Sequence, residues 1–274
     1  MRGINKMILV TGLLLGNLVT AQESAVINMQ AGKKLKEQGK CADAIIYFVK
    51  ALELKSDYAE ALYESGWCYN EMKDFARAAG VLSKANSLQK NNPGILYELG
   101  YAYYNLDSAD LALALYKKVL LIDTAHLQTL IGIGDIYRNK KSNVYEALRW
   151  YLRALLNDQT NIKANYGAGW CYNELKDYTR AVPYLLRVVQ QDSVNYAALN
   201  ELGFSYYSQN KFEEAINTLS VSESASVKSE TALYYLGLCY VKTGKKQDAV
   251  KRYNALVLMN SKLAPALLAE IQKM

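Results

Sequence analysis

His126 is the only histidine of the chain, and its four cysteines, Cys41, Cys68, Cys171 and Cys239, lie no closer than 27 residues apart. Neither a Cys-x-x-Cys pair nor a cluster of imidazoles is encoded locally, so a zinc site or a histidine-assisted nucleophile is hard to assemble. A glycine-rich phosphate loop of the Walker type is missing as well. Glu71, Asp135, Glu174, Glu213 and Glu214 show no pairing beyond what solvated helix faces carry, and His126 reads as a turn residue. What remains is recognition chemistry. With 23 Tyr and 3 Trp against 4 Phe, the chain favours rings that carry a polar handle, which suit surfaces buried only on association. The expectation is a binding protein without catalytic residues, metal or cofactor.

The elements that must present these rings follow from a period. Gly32, Gly66, Gly100, Gly134, Gly169, Gly203 and Gly237 are separated by 34, 34, 34, 35, 34 and 34 residues. Ala44, Ala78, Ala112, Ala147, Ala181, Ala215 and Ala249 repeat the series, with the extra residue now between Ala112 and Ala147. The insertion therefore lies in the fourth repeat, in a turn around 140–144. Tyr69, Tyr103, Tyr137, Tyr172, Tyr206 and Tyr240 stand three places after their glycines, and Leu62, Leu96, Leu130, Leu199 and Leu233 four places before. Spacing of i, i+4, i+7 is one helical stripe, and a glycine within it marks close approach of a neighbouring helix. A second apolar period, as in Ala112, Tyr116, Val119 and Leu120, follows a short turn, with Asp74 and Asp177 placed as N-caps. Each repeat is predicted to be a helical hairpin.

Seven registered copies with Gly at the eighth place, Tyr at the eleventh and Ala at the twentieth resemble the tetratricopeptide repeat (TPR) family from Ala25 to about Leu263. The resemblance implies an all-α fold, a right-handed α-α superhelix of seven hairpins over 25–58, 59–92, 93–126, 127–161, 162–195, 196–229 and 230–263. A capping helix over 264–274 would cover the last apolar face. The chain departs from the family in lacking Pro near each repeat end. Pro183 is expected to bend the second helix of the fifth repeat, and the polar run Ser222–Lys228 to shorten that of the sixth.

In the family, the fifth, ninth and twelfth places of each first helix line the concave face. Carried over, they give Tyr63, Trp67 and Asn70; Tyr97, Tyr101 and Tyr104; Tyr166, Trp170 and Asn173; and Asn200, Phe204 and Tyr207. The fourth repeat supplies Ile131, Asp135 and Arg138, and the first Met29, Lys33 and Lys36. Asn70 and Asn173 are poor core residues without partners, which points to a groove rather than more core. The reading is a groove for a protein or extended peptide; the alternative is a glycan-binding protein using the same Trp and Tyr platforms. The family's chaperone-binding members clamp a carboxylate with Lys and Asn at the fifth and ninth places, which are aromatic here. Two segments, Gly66–Ala78 and Gly169–Ala181, agree at ten of thirteen places, and Leu96, Glu98, Leu99, Gly100, Tyr103 and Tyr104 recur as Leu199, Glu201, Leu202, Gly203, Tyr206 and Tyr207. A three-repeat block is duplicated.

Arg2 and Lys6 precede an uncharged run from Met7 to Val19 that ends in Val19, Thr20 and Ala21. This pattern is expected to be a signal peptide over residues 1–21, followed by a single domain over 22–274 in an extracytoplasmic compartment, with no membrane insertion after cleavage. The formal charge is +6. Glu230–Met274 carries seven Lys or Arg against three acids, and no basic stripe runs along the rest, which argues against nucleic acid as a partner. Cys68, Cys171 and Cys239 are expected to be buried by packing, with Cys41 and Cys68 the one pair able to meet.

Overall fold

The computed structural model describes residues 20, 22–223 and 229–274. The expected signal peptide, apart from Thr20, and residues 224–228 of the polar run lie outside them. The described residues form fifteen helices. The first, α1, spans 22–37. The others are α2 (Cys41–Leu54), α3 (Ala59–Glu71), α4 (Phe75–Leu88), α5 (Pro93–Asn105), α6 (Ala109–Ile122), α7 (Leu127–Asn139), α8 (Val144–Asn157), α9 (Ile162–Glu174), α10 (Tyr178–Gln191), α11 (Tyr196–Ser208), α12 (Phe212–Glu223), α13 (Glu230–Lys242), α14 (Lys246–Leu258) and α15 (Ala264–Gln272). Fourteen of them form seven hairpins and α15 is the cap. Gly132 closes one compact unit of the chain, and Ile133–Met274 forms a second.

The hairpins close where the repeat glycines lie. Phe48 packs on Gly32, Leu82 on Gly66, Tyr116 on Gly100, Tyr151 on Gly134, Leu185 on Gly169 and Leu219 on Gly203. A methyl group on Gly100 would sit 2.6 Å from the Tyr116 ring, far inside contact distance, so these places must stay bare. In the last hairpin Leu267 of α15 supplies the side chain that covers Gly237, and the cap thus completes a packing unit rather than merely screening it. Where the inserted side chain is tyrosine, the following repeat yields a second glycine: Gly132 meets the far side of Tyr116 and Gly167 that of Tyr151.

Turn chemistry is as periodic as packing. Asp74 and Asp177 accept hydrogen bonds from the backbone N–H of Arg77 and Arg180, at 3.1 Å each, as N-caps do. The fifteenth residue of each hairpin adopts positive φ: Gly39, Lys73, Asp107, Lys176, Asn210 and Gly244, with Ser142 in the repeat that carries the insertion. This left-handed residue ends the first helix, yet glycine fills it only in the first and last repeats. α10 runs through Pro183 as one helix, and α12 ends its described span at Glu223.

Candidate functional site

In the unit that ends at Gly132, Trp67 on α3 is half-buried against the core cluster that includes Met29, Cys41 and Phe48. The Lys36 ammonium from α1 lies 4.2 Å from its ring centroid and is paired with Glu64, a cation held over an aromatic face and neutralised at its other side. Tyr63, one turn earlier, is half-buried; burial first, then the charge of Glu98, push its hydroxyl above the usual tyrosine range. On α5, Tyr101 is exposed and meets Phe75 edge-on at 6.0 Å and 79°. Tyr97 stacks on buried Tyr116 at 5.6 Å, and Tyr104 is half-buried.

In the second unit the same places build the same arrangement. Arg138 of α7 lies 5.7 Å from the Tyr166 ring and 5.6 Å from the Trp170 ring, with Asp135 at 3.5 Å as its ion-pair partner. Phe204 of α11 meets Tyr178 edge-on at 5.5 Å and 87°. Tyr207 packs between Phe212 and Tyr235. The pairs Phe75–Tyr101 and Tyr178–Phe204 are the same contact with the hydroxyl moved to the other ring.

The asparagines depart from expectation. Asn70 and Asn173 are only 3% exposed and do not line an open face. Each reaches the next repeat instead: Asn70 Nδ2 donates to the Glu98 carbonyl at 3.0 Å and to Glu98 Oε2 at 2.8 Å, and Asn173 does the same to Glu201 at identical distances. Partners unseen in the sequence take up both Nδ2 donors, so the argument that these asparagines would be poor core residues fails. Asn200 is likewise taken up, donating to Ser229 Oγ at 3.0 Å and accepting from Ser222 Oγ at 2.7 Å. Ile131 is buried as well. The rings stay half-buried, with Tyr101 exposed, and charges lie beside them. Lys36, which the sequence places at the twelfth position of its repeat as it does Arg138, lies over a Trp ring; the charges missed by the sequence reasoning are Glu98 and Glu201, which recur in the duplicated block.

His126 and the cysteines are taken up in local packing. His126 Nδ1 lies 2.9 Å from Thr129 Oγ1 and accepts from the Thr129 N–H at 3.3 Å, capping α7, while its ring lies 5.4 Å from that of Tyr97. All four cysteines are buried and free. Burial pushes the Cys171 and Cys239 thiols up to about 12. Burial first, and with it the neighbouring Cys41, raises Cys68 further. Among the described residues no group of three His, Cys, Asp or Glu could hold a metal ion, and no helix is long and apolar enough to cross a membrane.

Family profiles described as tetratricopeptide repeat match residues 29–94 and 174–226, 93–126, and 231–258. No significant match is found among curated proteins. Among solved structures, a tetratricopeptide repeat protein from Parabacteroides merdae is 15% identical with a TM-score of 0.63, over 91% of this chain and 99% of that one. Pseudomonas aeruginosa PilF is 16% identical with a TM-score of 0.68, over 77% of this chain and 97% of its own. YrrB, described as a TPR protein with an unusual peptide-binding site, is 23% identical with a TM-score of 0.53, over 65% and 91%.

Proposed function

The chain belongs to the tetratricopeptide repeat family, and from that premise we propose that it is a non-enzymatic, extracytoplasmic scaffold that binds a partner protein or extended peptide on its two Trp platforms. One observation carries this reading. In each unit, rings at the fifth and ninth places, Tyr63, Trp67 and Tyr101 or Tyr166, Trp170 and Phe204, are held on rigid helices without being enclosed by the core. Side chains already fixed by packing lose little entropy when a partner covers them. The likeness to YrrB, whose description names a peptide-binding site, supports a peptide. Sugar stacking is less favoured, because Lys36 and Arg138 already occupy positions over the Trp rings.

Export rests on the charged start and apolar run before Ala21, and N-terminal sequencing of the mature protein should begin at Gln22. Binding is tested by panning a random peptide library on residues 22–274. Enrichment is expected with the natural sequence and should be lost in the Trp67→Ala/Trp170→Ala double variant, since removal of central aromatic anchors typically costs about 2 kcal/mol or more each. Equal enrichment on both proteins would refute the site.

A further inference from the structure

Cys41 opens α2 and Cys68 lies on α3. Both are buried, at 9% and 0% exposure, in one core cluster with Met29, Phe48 and Ala61, and the side chain of Cys41 neighbours that of Cys68. The repeat register explains the meeting. Cys41 holds the seventeenth place of its repeat, where Phe75 and Tyr178 stand in the second and fifth. Those rings cross to the ninth place of the next repeat, Phe75 to Tyr101 at 6.0 Å and Tyr178 to Phe204 at 5.5 Å. At the first junction the ninth place is Trp67 and the tenth Cys68, so a thiol stands in for a ring at a contact the fold makes repeatedly. Cys171 and Cys239 also hold the tenth place, but the hairpin of α11 and α12 separates them. The seventeenth places that precede them, Val144 and Phe212, carry no sulfur.

The position is one where a covalent link has an effect. Among the described residues, the hairpin of α1 and α2 has a neighbouring hairpin on one side only, and the terminal repeats of a solenoid open most readily. At the other end α15 covers the last hairpin, with Leu267 on Gly237; among the described residues no such helix precedes α1. A link from α2 to α3 holds the hairpin that carries Lys36 against the helix that carries Trp67.

We infer that Cys41 and Cys68 are oxidised to a disulfide that staples the first hairpin to the second and so fixes Lys36 over Trp67. This rests on the export reading above, since such bonds persist in oxidising compartments. The oxidant is a second disulfide, free or carried by an exchange protein. The Cys41 thiolate attacks one of its sulfurs and expels one thiolate; the Cys68 thiolate then attacks Cys41 Sγ in the mixed disulfide and expels the other. Two thiols are oxidised as one disulfide is reduced, and the two protons they lose pass to the expelled thiolates. With Cys68 fully sealed, the exchange runs while the first hairpin docks rather than afterwards.

The test refolds residues 22–274 from denaturant with oxidised or with reduced glutathione, then alkylates under denaturing, non-reducing conditions. After oxidation, tryptic peptides 41–50 and 56–73 should stay joined until a reductant is added, with Cys171 and Cys239 alkylated. The oxidised protein should melt several degrees above the reduced one, because the link restricts the unfolded chain, and Cys41→Ser should abolish that difference. Alkylation of all four cysteines, a bridge through Cys171 or Cys239, or equal melting of the two forms would overturn the inference. The exported protein separates the premises when its N-terminus and its thiols are read together. A start at Gln22 with Cys41 and Cys68 alkylated refutes the bond and leaves export standing. An unprocessed start refutes export, and the glutathione experiment still decides the bond.

Discussion

Ser205 Oγ donates to Asn173 Oδ1 at 2.6 Å, whereas Asn70 Oδ1, at the matching place of the other unit, is buried without a partner. The difference is one residue: the place of Ser205 is filled by Ala102, itself fully buried. A buried acceptor left unmade costs more than a made bond contributes. Ala102→Ser should therefore stabilise the first unit by about 1 kcal/mol, and Ser205→Ala should destabilise the second by about 1–3 kcal/mol. Urea unfolding of the two variants checks both signs; a destabilising Ala102→Ser would mean that the site has no room for the hydroxyl.

The hairpin turns offer a second handle. Lys73 and Lys176 hold φ of 60°, a conformation that costs an L-residue roughly 1 kcal/mol and glycine almost nothing. Lys73→Gly and Lys176→Gly are each expected to raise stability by up to about 1 kcal/mol, the gain being reduced by the greater freedom of glycine when unfolded. Gly244→Ala, at a φ of 74°, should lower it. Thermal melts of the three variants decide the matter.

Stability should also depend on pH through the clamped glutamates. Burial, opposed by the Asn173 hydrogen bond, leaves Glu201 with a folded-state pKa above its ordinary 4.5. The folded chain then binds a proton more tightly than the unfolded chain, so this group's contribution is present below 4.5 and lost as pH rises through the raised value. Glu201→Gln removes the titration while keeping an oxygen for Asn173. The difference in unfolding free energy between the natural sequence and Glu201→Gln should move in favour of the variant as pH climbs through that window; a constant difference would show that the carboxylate pays no burial penalty.

Thiol chemistry should report the packing directly. With Cys171 and Cys239 raised to about 12, on the order of one thiol in ten thousand is ionised at about pH 8. Iodoacetamide should leave both unlabelled in the folded chain and label them fully in denaturant, with mass spectrometry of tryptic peptides as the readout. Rapid labelling of either in the native state would contradict its placement.

The helices and their faces were legible because glycine, tyrosine and alanine each occupy one fixed place in a short period, and local chemistry such as the Asp74 and Asp177 caps needs only neighbours three residues away. The amides were not. Asn70 occupies a position on the same stripe as Tyr63 and Trp67, and what buries it is a glutamate 28 residues on, in a helix whose approach a single repeat does not encode. The one trace was the joint recurrence of Asn and Glu in the duplicated block. Lys36 was named at the twelfth place of its repeat, but its contact was hidden, since a lysine at a helix surface normally faces water and only the tryptophan one repeat on gives it a ring to lie over.

The two tyrosines that each insert between a pair of glycines have a consequence for how repeats can be shuffled. At the twenty-fourth place, adjusted for the insertion, the chain carries Phe48, Leu82, Tyr116, Tyr151, Leu185 and Leu219, and at the sixth place of the succeeding repeats Glu64, Glu98, Gly132, Gly167, Glu201 and Tyr235. Tyrosine is always followed by glycine, so each junction specifies its neighbour by volume. Excision of 127–161 would set Tyr116 against Gly167 and preserve the match, whereas excision of 162–195 would drive Tyr151 into Glu201. The order of the repeats is thus written into the molecule as a series of fitted joints, and recombination within the gene is free at some of them and barred at others.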